Sequence, residues 1–197
     1  MTTLRTTIED HLSTLQDRLG QAVSRLPGQR PGDRRACTDD FLVATTQHLA
    51  AVADIVLPAA RKHDPEARSL AREYLRSAKR LERALVIAKA KQYGQAQNVG
   101  RAWEQVWTMV RTDLESVAEL ERDLVARVSE RLSEVESHRL GDRLAPAARR
   151  SPTRPHPHLP HSGVAGKVVR TVASRADRVW DEFEGRVIQP LTPREAG

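Results

Sequence analysis

The chain of 197 residues is long enough for one domain with an appendage, and its composition (39% hydrophobic, 29% charged, 4% aromatic) is typical of helix-rich globular proteins. No apolar run approaches the roughly 20 residues that span a bilayer, and the first residues lack the apolar core and cleavage site of a secretory signal, so the sequence predicts no transmembrane segment and a cytoplasmic protein. The formal net charge of +6 at pH 7 permits binding to a polyanion without establishing it.

The first predicted helix spans residues 4–26. Its apolar side chains recur at spacings of three and four residues and therefore share one helical face: Ile8, Leu12, Leu15, Leu19, Val23 and Leu26. The segment 27–33 contains two prolines and two glycines, so it should end this helix.

The second predicted helix begins near Thr38 or Asp39, both of which are competent N-caps, and ends at residues 61–63. Pro58 falls late in it and predicts a kink or an early end. The third helix opens at Asp64, the expected N-cap, and is interrupted near residue 93.

A long fourth helix is predicted from about residue 101 to residue 138, with Gly141 at its end or just beyond. Each of the four stretches carries an apolar stripe that would be unstable alone. Because the links between them are short, the sequence predicts an all-α fold, an up-down four-helix bundle over residues 1–142.

The composition changes after this region. Residues 143–163 are rich in proline, histidine and arginine, which favours an extended strap with polyproline-II geometry. An amphipathic helix follows over residues 164–188, and residues 189–197 form a disordered tail. Trp180 and Phe183 favour packing of that helix on the bundle or on a partner chain; the alternative is contact with an anionic membrane or nucleic acid.

One motif lies in the second helix, in the segment from Gln47 to Pro58. This segment resembles the metal-ligand helix of the hemerythrin-like (HHE) family of four-helix bundles, which reads His-x-x-x-Glu with a proline further along. His48 and Pro58 match that pattern, whereas Val52 occupies the place of the glutamate. The resemblance implies a hemerythrin-type bundle whose di-iron site is degenerate.

The family resemblance also implies a set of metal ligands on the other helices. The Glu9-Asp10-His11 start of the first helix is similar to the family pattern, so His11 and His48 are the matched, vestigial ligands. The corresponding parts of the third and fourth helices contain no histidine. We therefore expect no cofactor; a single Zn²⁺ or Cu²⁺, or iron, remains the alternative if Glu82 or Glu121 turns inward.

The strap and the helix after it resemble the extension of some actinobacterial hemerythrin-like proteins, through the signature Asp177-Arg178-Val179-Trp180-Asp181. The strap histidines are predicted to make hydrogen bonds across the bundle surface, the alternative being a transition metal: His156, His158 and His161. The best candidates for contact with a polyanion or a partner are basic: Arg149, Arg150, Arg154, Lys167 and Arg170.

The sequence contains no Cys-x-x-Cys motif, nucleophile elbow or dinucleotide fingerprint. We therefore predict a protein that is not an enzyme and acts in binding, scaffolding or regulation, with a protein partner or a second copy of itself. The first alternative is a metal protein that binds oxygen or senses redox state through His11 and His48. The second alternative is a nucleic-acid-binding module that uses the basic extension.

Overall fold

In the computed structural model of the chain, the described residues are 2–24, 31–93, 100 and 102–151. These residues form five α-helices and one short 3-10 helix and include no strand, so the predicted all-α class is confirmed for this part of the chain. The α-helices are α1 (Leu4–Val23), α2 (Pro31–His63), α3 (Arg68–Gln92), α4 (Trp103–Ser129) and α5 (Glu134–Arg150).

The start of α2 differs from the prediction. The helix begins at Pro31, inside the segment expected to be a link, because proline is tolerated in the first turn, where its missing N–H has no partner in any case. The helix ends at His63, within the predicted residues 61–63, and of the two outcomes predicted at Pro58, a kink or an early end, the early end does not occur. The helix is therefore 33 residues long.

Asp64 is an N-cap as predicted, but it caps a 3-10 helix, and α3 itself begins at Arg68. The Asp64 side chain accepts a hydrogen bond from the Glu66 amide at 3.2 Å and so caps the 3-10 helix Pro65–Ala67 that leads into α3. The same carboxylate accepts a hydrogen bond from Arg127 Nε at 2.7 Å, which ties α4 to this turn. The Arg127 guanidinium holds the pKa of Asp64 below its usual range.

The predicted fourth helix is in fact two helices. It ends at Ser129, and Ser133 starts α5 with a capping box, in which its hydroxyl accepts from the Glu136 amide and the Glu136 carboxylate accepts from the Ser133 amide. The predictions that Gly141 ends a helix and that a strap begins at residue 143 are therefore wrong, because α5 includes Gly141 and runs to Arg150. The prediction of one helix was wrong because the apolar periodicity of the sequence continues across the break between Ser129 and Glu134.

The helices pack in chain order, with α1 on α2, α2 on α3, α3 on α4 and α4 on α1, while α5 packs on both α1 and α2. All of residues 41–53 of α2 are buried, which fits a helix with neighbours on every side.

In the described part, the stretch Arg35–His63 is long and apolar enough to cross a membrane, with a mean hydropathy of 1.4 in a window that is 89% buried by the other helices.

Helix α5 closely approaches the start of α1 at Gly141. A Cβ at this position would lie 2.6 Å from the carbonyl oxygen of Thr2 and 3.0 Å from backbone atoms of Thr3. Nearby, the amide of Leu4 donates a hydrogen bond to the Ser137 hydroxyl at 3.3 Å. Glycine is therefore required at position 141 to seat α5 on the N-terminal end of α1.

We expect Gly141→Ala to lower the free energy of unfolding by about 1–3 kcal/mol, because the added methyl group displaces backbone that has little freedom to move. The matched control is Gly20→Ala in α1, where an added Cβ meets nothing within 4 Å. That change should raise stability by up to about 1 kcal/mol through helix propensity. Urea denaturation of both variants measures the effect, and equal shifts would contradict this role of Gly141.

The predicted strap, the helix at 164–188 and the tail lie outside the described residues, apart from residues 143–151. The same holds for several of the residues predicted to contact partners or the bundle surface: Arg154, His156, His158, His161, Lys167 and Arg170.

Candidate functional site

Five ionisable side chains, which we call the interior cluster, meet within the helical core. All are at most 4% exposed and come from four different helices: His11 (α1), His48 (α2), Tyr74 and Glu82 (α3), and Glu121 (α4). Burying charged or polar groups in this way is costly unless they satisfy one another or bind a ligand. The cluster is therefore the principal candidate for function in the described part of the chain.

His48 is at the centre of the cluster and uses both ring nitrogens. Its Nε2 lies 2.7 Å from Glu121 Oε2, and both side chains are fully buried. A carboxylate only accepts hydrogen bonds, so His48 Nε2 is the donor when the Glu121 side chain is a carboxylate. In a neutral His48 ring this arrangement leaves a lone pair on Nδ1, the atom that faces His11.

The two histidines meet through their Nδ1 atoms, which are 3.4 Å apart, with the rings edge to face. This separation is longer than the usual 2.7–3.2 Å of a hydrogen bond between nitrogen and its acceptor. Burial of the ring, and secondarily the charge of His48, lowers the pKa of His11 to about 3. His11 is therefore neutral at physiological pH.

Tyr74 lies on the α3 side of the cluster and is fully buried. Burial raises its pKa well above the usual value, and the charges of Glu121 and Glu82 raise it further. Among the described residues its hydroxyl has no hydrogen-bond partner of good geometry, and the same is true of Glu121 Oε1. The Glu121 carboxylate nevertheless interacts with the phenol, since hydrogen bonding to it contributes to the raised pKa of Tyr74. A water molecule between these two buried oxygens would complete their hydrogen bonding.

The cluster does not fit a di-iron centre. Carboxylate-bridged sites of that kind use about six protein side chains, mostly carboxylates, projecting from four helices. In the part of the chain that the structure describes, no group of three or more His, Cys, Asp or Glu side chains is arranged to hold a metal ion. Val52, at the family's glutamate position, is fully buried and supplies no ligand atom.

The cluster offers two nitrogen atoms to a single ion, fewer than the three or four protein ligands of a typical zinc site. Ligand nitrogens about 2.0–2.1 Å from a tetrahedral Zn²⁺ are separated by roughly 3.4 Å, which is the distance between the Nδ1 atoms of His11 and His48. Glu121 would then orient His48 through the other ring nitrogen, a common arrangement around zinc. His11 and His48 would hold such an ion, and the ion would act as a Lewis acid.

The structure brings together several residues named from the sequence and leaves others apart. His11, His48, Glu82 and Glu121 all reach the interior, whereas Arg149 and Arg150 are exposed in the last turn of α5. Tyr74, on the buried face of α3, was not predicted from the sequence to join the cluster. The available signal was its phenolic oxygen, which needs a polar partner wherever the ring is buried.

Comparison with protein-family models, with curated proteins and with solved structures found no match to this chain. The family resemblance therefore depends on the chain's own residues.

Proposed function

We propose that this chain is a hemerythrin-like four-helix bundle, extended by α5, that has lost its di-iron centre and acts as a non-catalytic binding or regulatory protein. The closed order of helix packing, α1 to α4 and back to α1, supports the bundle. The family's histidine positions in α1 and α2 support the resemblance, because they meet in the interior.

One observation carries the loss of the di-iron centre. The ring nitrogens of His48 are directed to protein groups, Nε2 to Glu121 and Nδ1 to His11. A bridged iron pair needs carboxylates as direct ligands, whereas Oε2 of Glu121 is engaged with His48 and Val52 cannot bind a metal. The buried side chains therefore contact one another and do not supply the carboxylate ligands that would bridge two iron atoms.

Metal analysis of the full chain tests this proposal. The protein is purified without an affinity tag from cells grown with added iron, and its metals are measured by plasma mass spectrometry with an absorption spectrum. We expect iron well below one atom per chain and no visible oxo-bridge band. Two iron atoms per chain with that band would overturn the proposal.

The spacing of the two Nδ1 atoms favours a second candidate, a protein that binds a single transition-metal ion. It predicts one Zn²⁺ per chain and, after replacement by Co²⁺, the visible absorption of a nitrogen-ligated ion. His11→Leu and His48→Leu should each abolish binding. His63→Leu is the matched control, because it changes a partly exposed histidine at the end of α2. Zinc content that is equal in all three variants would contradict this candidate.

A further inference from the structure

A cleft opens at one end of the helical assembly, where α1 and α3 end and α2 and α4 begin. It has a volume of about 590 Å³, within the range of small-molecule sites. We call it the tryptophan cleft and define it by residues from α2, α3 and α4: Arg35, Lys91, Gln92, Trp103, Trp107 and Arg111. Thr38 of this cleft precedes His48 by ten residues in α2, so the cleft lies about 15 Å along that helix from the interior cluster.

The cleft has an aromatic wall. The indoles of Trp103 and Trp107 are stacked, with ring centroids 5.8 Å apart and an interplanar angle of 18°. Trp103 is half-buried, whereas Trp107 is only 9% exposed, so Trp103 presents most of the accessible aromatic surface. Tryptophan is scarce in this chain, which has three in all, and two of them line this cleft. A wall of this kind favours a ligand with a planar, apolar body.

The rim of the cleft is cationic. Among the described residues that line it are three cations, Arg35, Lys91 and Arg111, and one carboxylate, that of Glu104. Lys91 Nζ lies 5.5 Å from the centroid of the Trp103 ring, so the positive charge and the aromatic wall are adjacent. A guanidinium group binds a carboxylate through two parallel hydrogen bonds, which makes the two arginines suitable partners for an organic acid.

One polar group of the lining has an unmet hydrogen bond. The side-chain nitrogen of Gln92 is buried and has no hydrogen-bond partner among the described residues. Buried donors of this kind are uncommon in folded proteins and often mark a place for a ligand or a water molecule. The cleft therefore combines an aromatic wall, several cations and an unsatisfied amide within one volume.

From this combination we propose that the tryptophan cleft binds a small organic anion with a planar aromatic ring, the ring against the indoles and the carboxylate at the arginines. The site is separate from the interior cluster, so the metal content of the protein does not decide whether it exists. It gives the protein a ligand of defined chemical class.

Calorimetric titration of the full, untagged chain with 1-naphthoate tests the inference. We expect saturable binding with a dissociation constant below about 1 mM, and at least tenfold weaker binding of the neutral isostere 1-naphthamide. Inorganic phosphate should not compete at equal concentration. The proposal would be overturned if 1-naphthoate did not bind at millimolar concentration or if 1-naphthamide bound with equal affinity. It would also be overturned if inorganic phosphate at equal concentration displaced 1-naphthoate.

Two substitutions locate the site. Arg111→Gln removes an exposed charge at the cleft without disturbing the core and should weaken 1-naphthoate binding at least tenfold. Trp103→Ala should weaken it by a similar factor, with circular dichroism to verify the fold. Arg72→Gln is the matched control, since Arg72 is exposed near the opposite end of α3. Unchanged affinity in Arg111→Gln and Trp103→Ala would place the ligand elsewhere and contradict the assignment.

Discussion

Replacing Glu121 by alanine is expected to lower the free energy of unfolding by about 2–5 kcal/mol, because it leaves a buried N–H donor unsatisfied and opens a cavity. Glu121 is fully buried, and its Oε2 lies 2.7 Å from His48 Nε2. Without this carboxylate, the His48 ring retains a buried donor that has no acceptor, and a cavity remains where the side chain was. Urea denaturation in the presence of a chelator measures the loss without any contribution from metal binding.

The control for this experiment lies on the same helix. Glu119 is exposed on α4, so Glu119→Ala should change stability by no more than about 0.5 kcal/mol. A double-mutant cycle with His48→Leu and Glu121→Leu isolates the pair, because removing both partners should cost less than the sum of the single changes. A Glu121→Ala variant as stable as the wild type would contradict a structural role for the pair.

The second large effect is a dependence of stability on pH that arises from His11. Its pKa in the folded protein is lowered to about 3 by burial and by the charge of His48, whereas an unfolded histidine titrates near 6.5. Between these values the unfolded chain binds the proton and the folded protein does not. Stability is therefore lost as the pH falls, by about 1.4 kcal/mol per pH unit from this one group.

The measurement compares the wild type with His11→Leu at pH values from about 6 down to 4. We expect the free energy of unfolding of the variant to fall less steeply as the pH is lowered, by about 1.4 kcal/mol less per pH unit. Its stability at pH 7 also changes, because leucine packs differently from histidine. His63→Gln is the control and should retain the wild-type slope, because it alters a partly exposed histidine outside the interior cluster. Parallel slopes for wild type and His11→Leu would contradict the burial of a neutral imidazole.

The sequence predicts those features of the fold that depend on interactions between residues close together in the chain. The N-cap at Asp64 and the end of α3 before Tyr93 were predicted, because proline and capping chemistry act within a few residues. The break between α4 and α5 was missed because the apolar period passes through it. Only the Ser133–Glu136 capping box signals the break.

The interior cluster could be predicted only in part for a related reason. The family pattern points to His11 and His48, and the absence of histidine from α3 and α4 suggested that little else would join them. Periodicity could not decide which of the many glutamates face inward; Glu82 and Glu121 do so because their positions fall on the buried faces of α3 and α4. Distances between helices depend on tertiary packing, on which local patterns are silent.

The position of α5 has a consequence for biosynthesis. The most apolar helix, α2, is covered partly by α5, and residues 64–133 separate the two along the chain. At a translation rate of about 5–20 residues per second, α2 leaves the ribosome on the order of ten seconds before its cover is made. During that interval the apolar surface of α2 that α5 later covers is exposed on the nascent chain. This exposure makes the chain a substrate for chaperones that bind unfinished polypeptides.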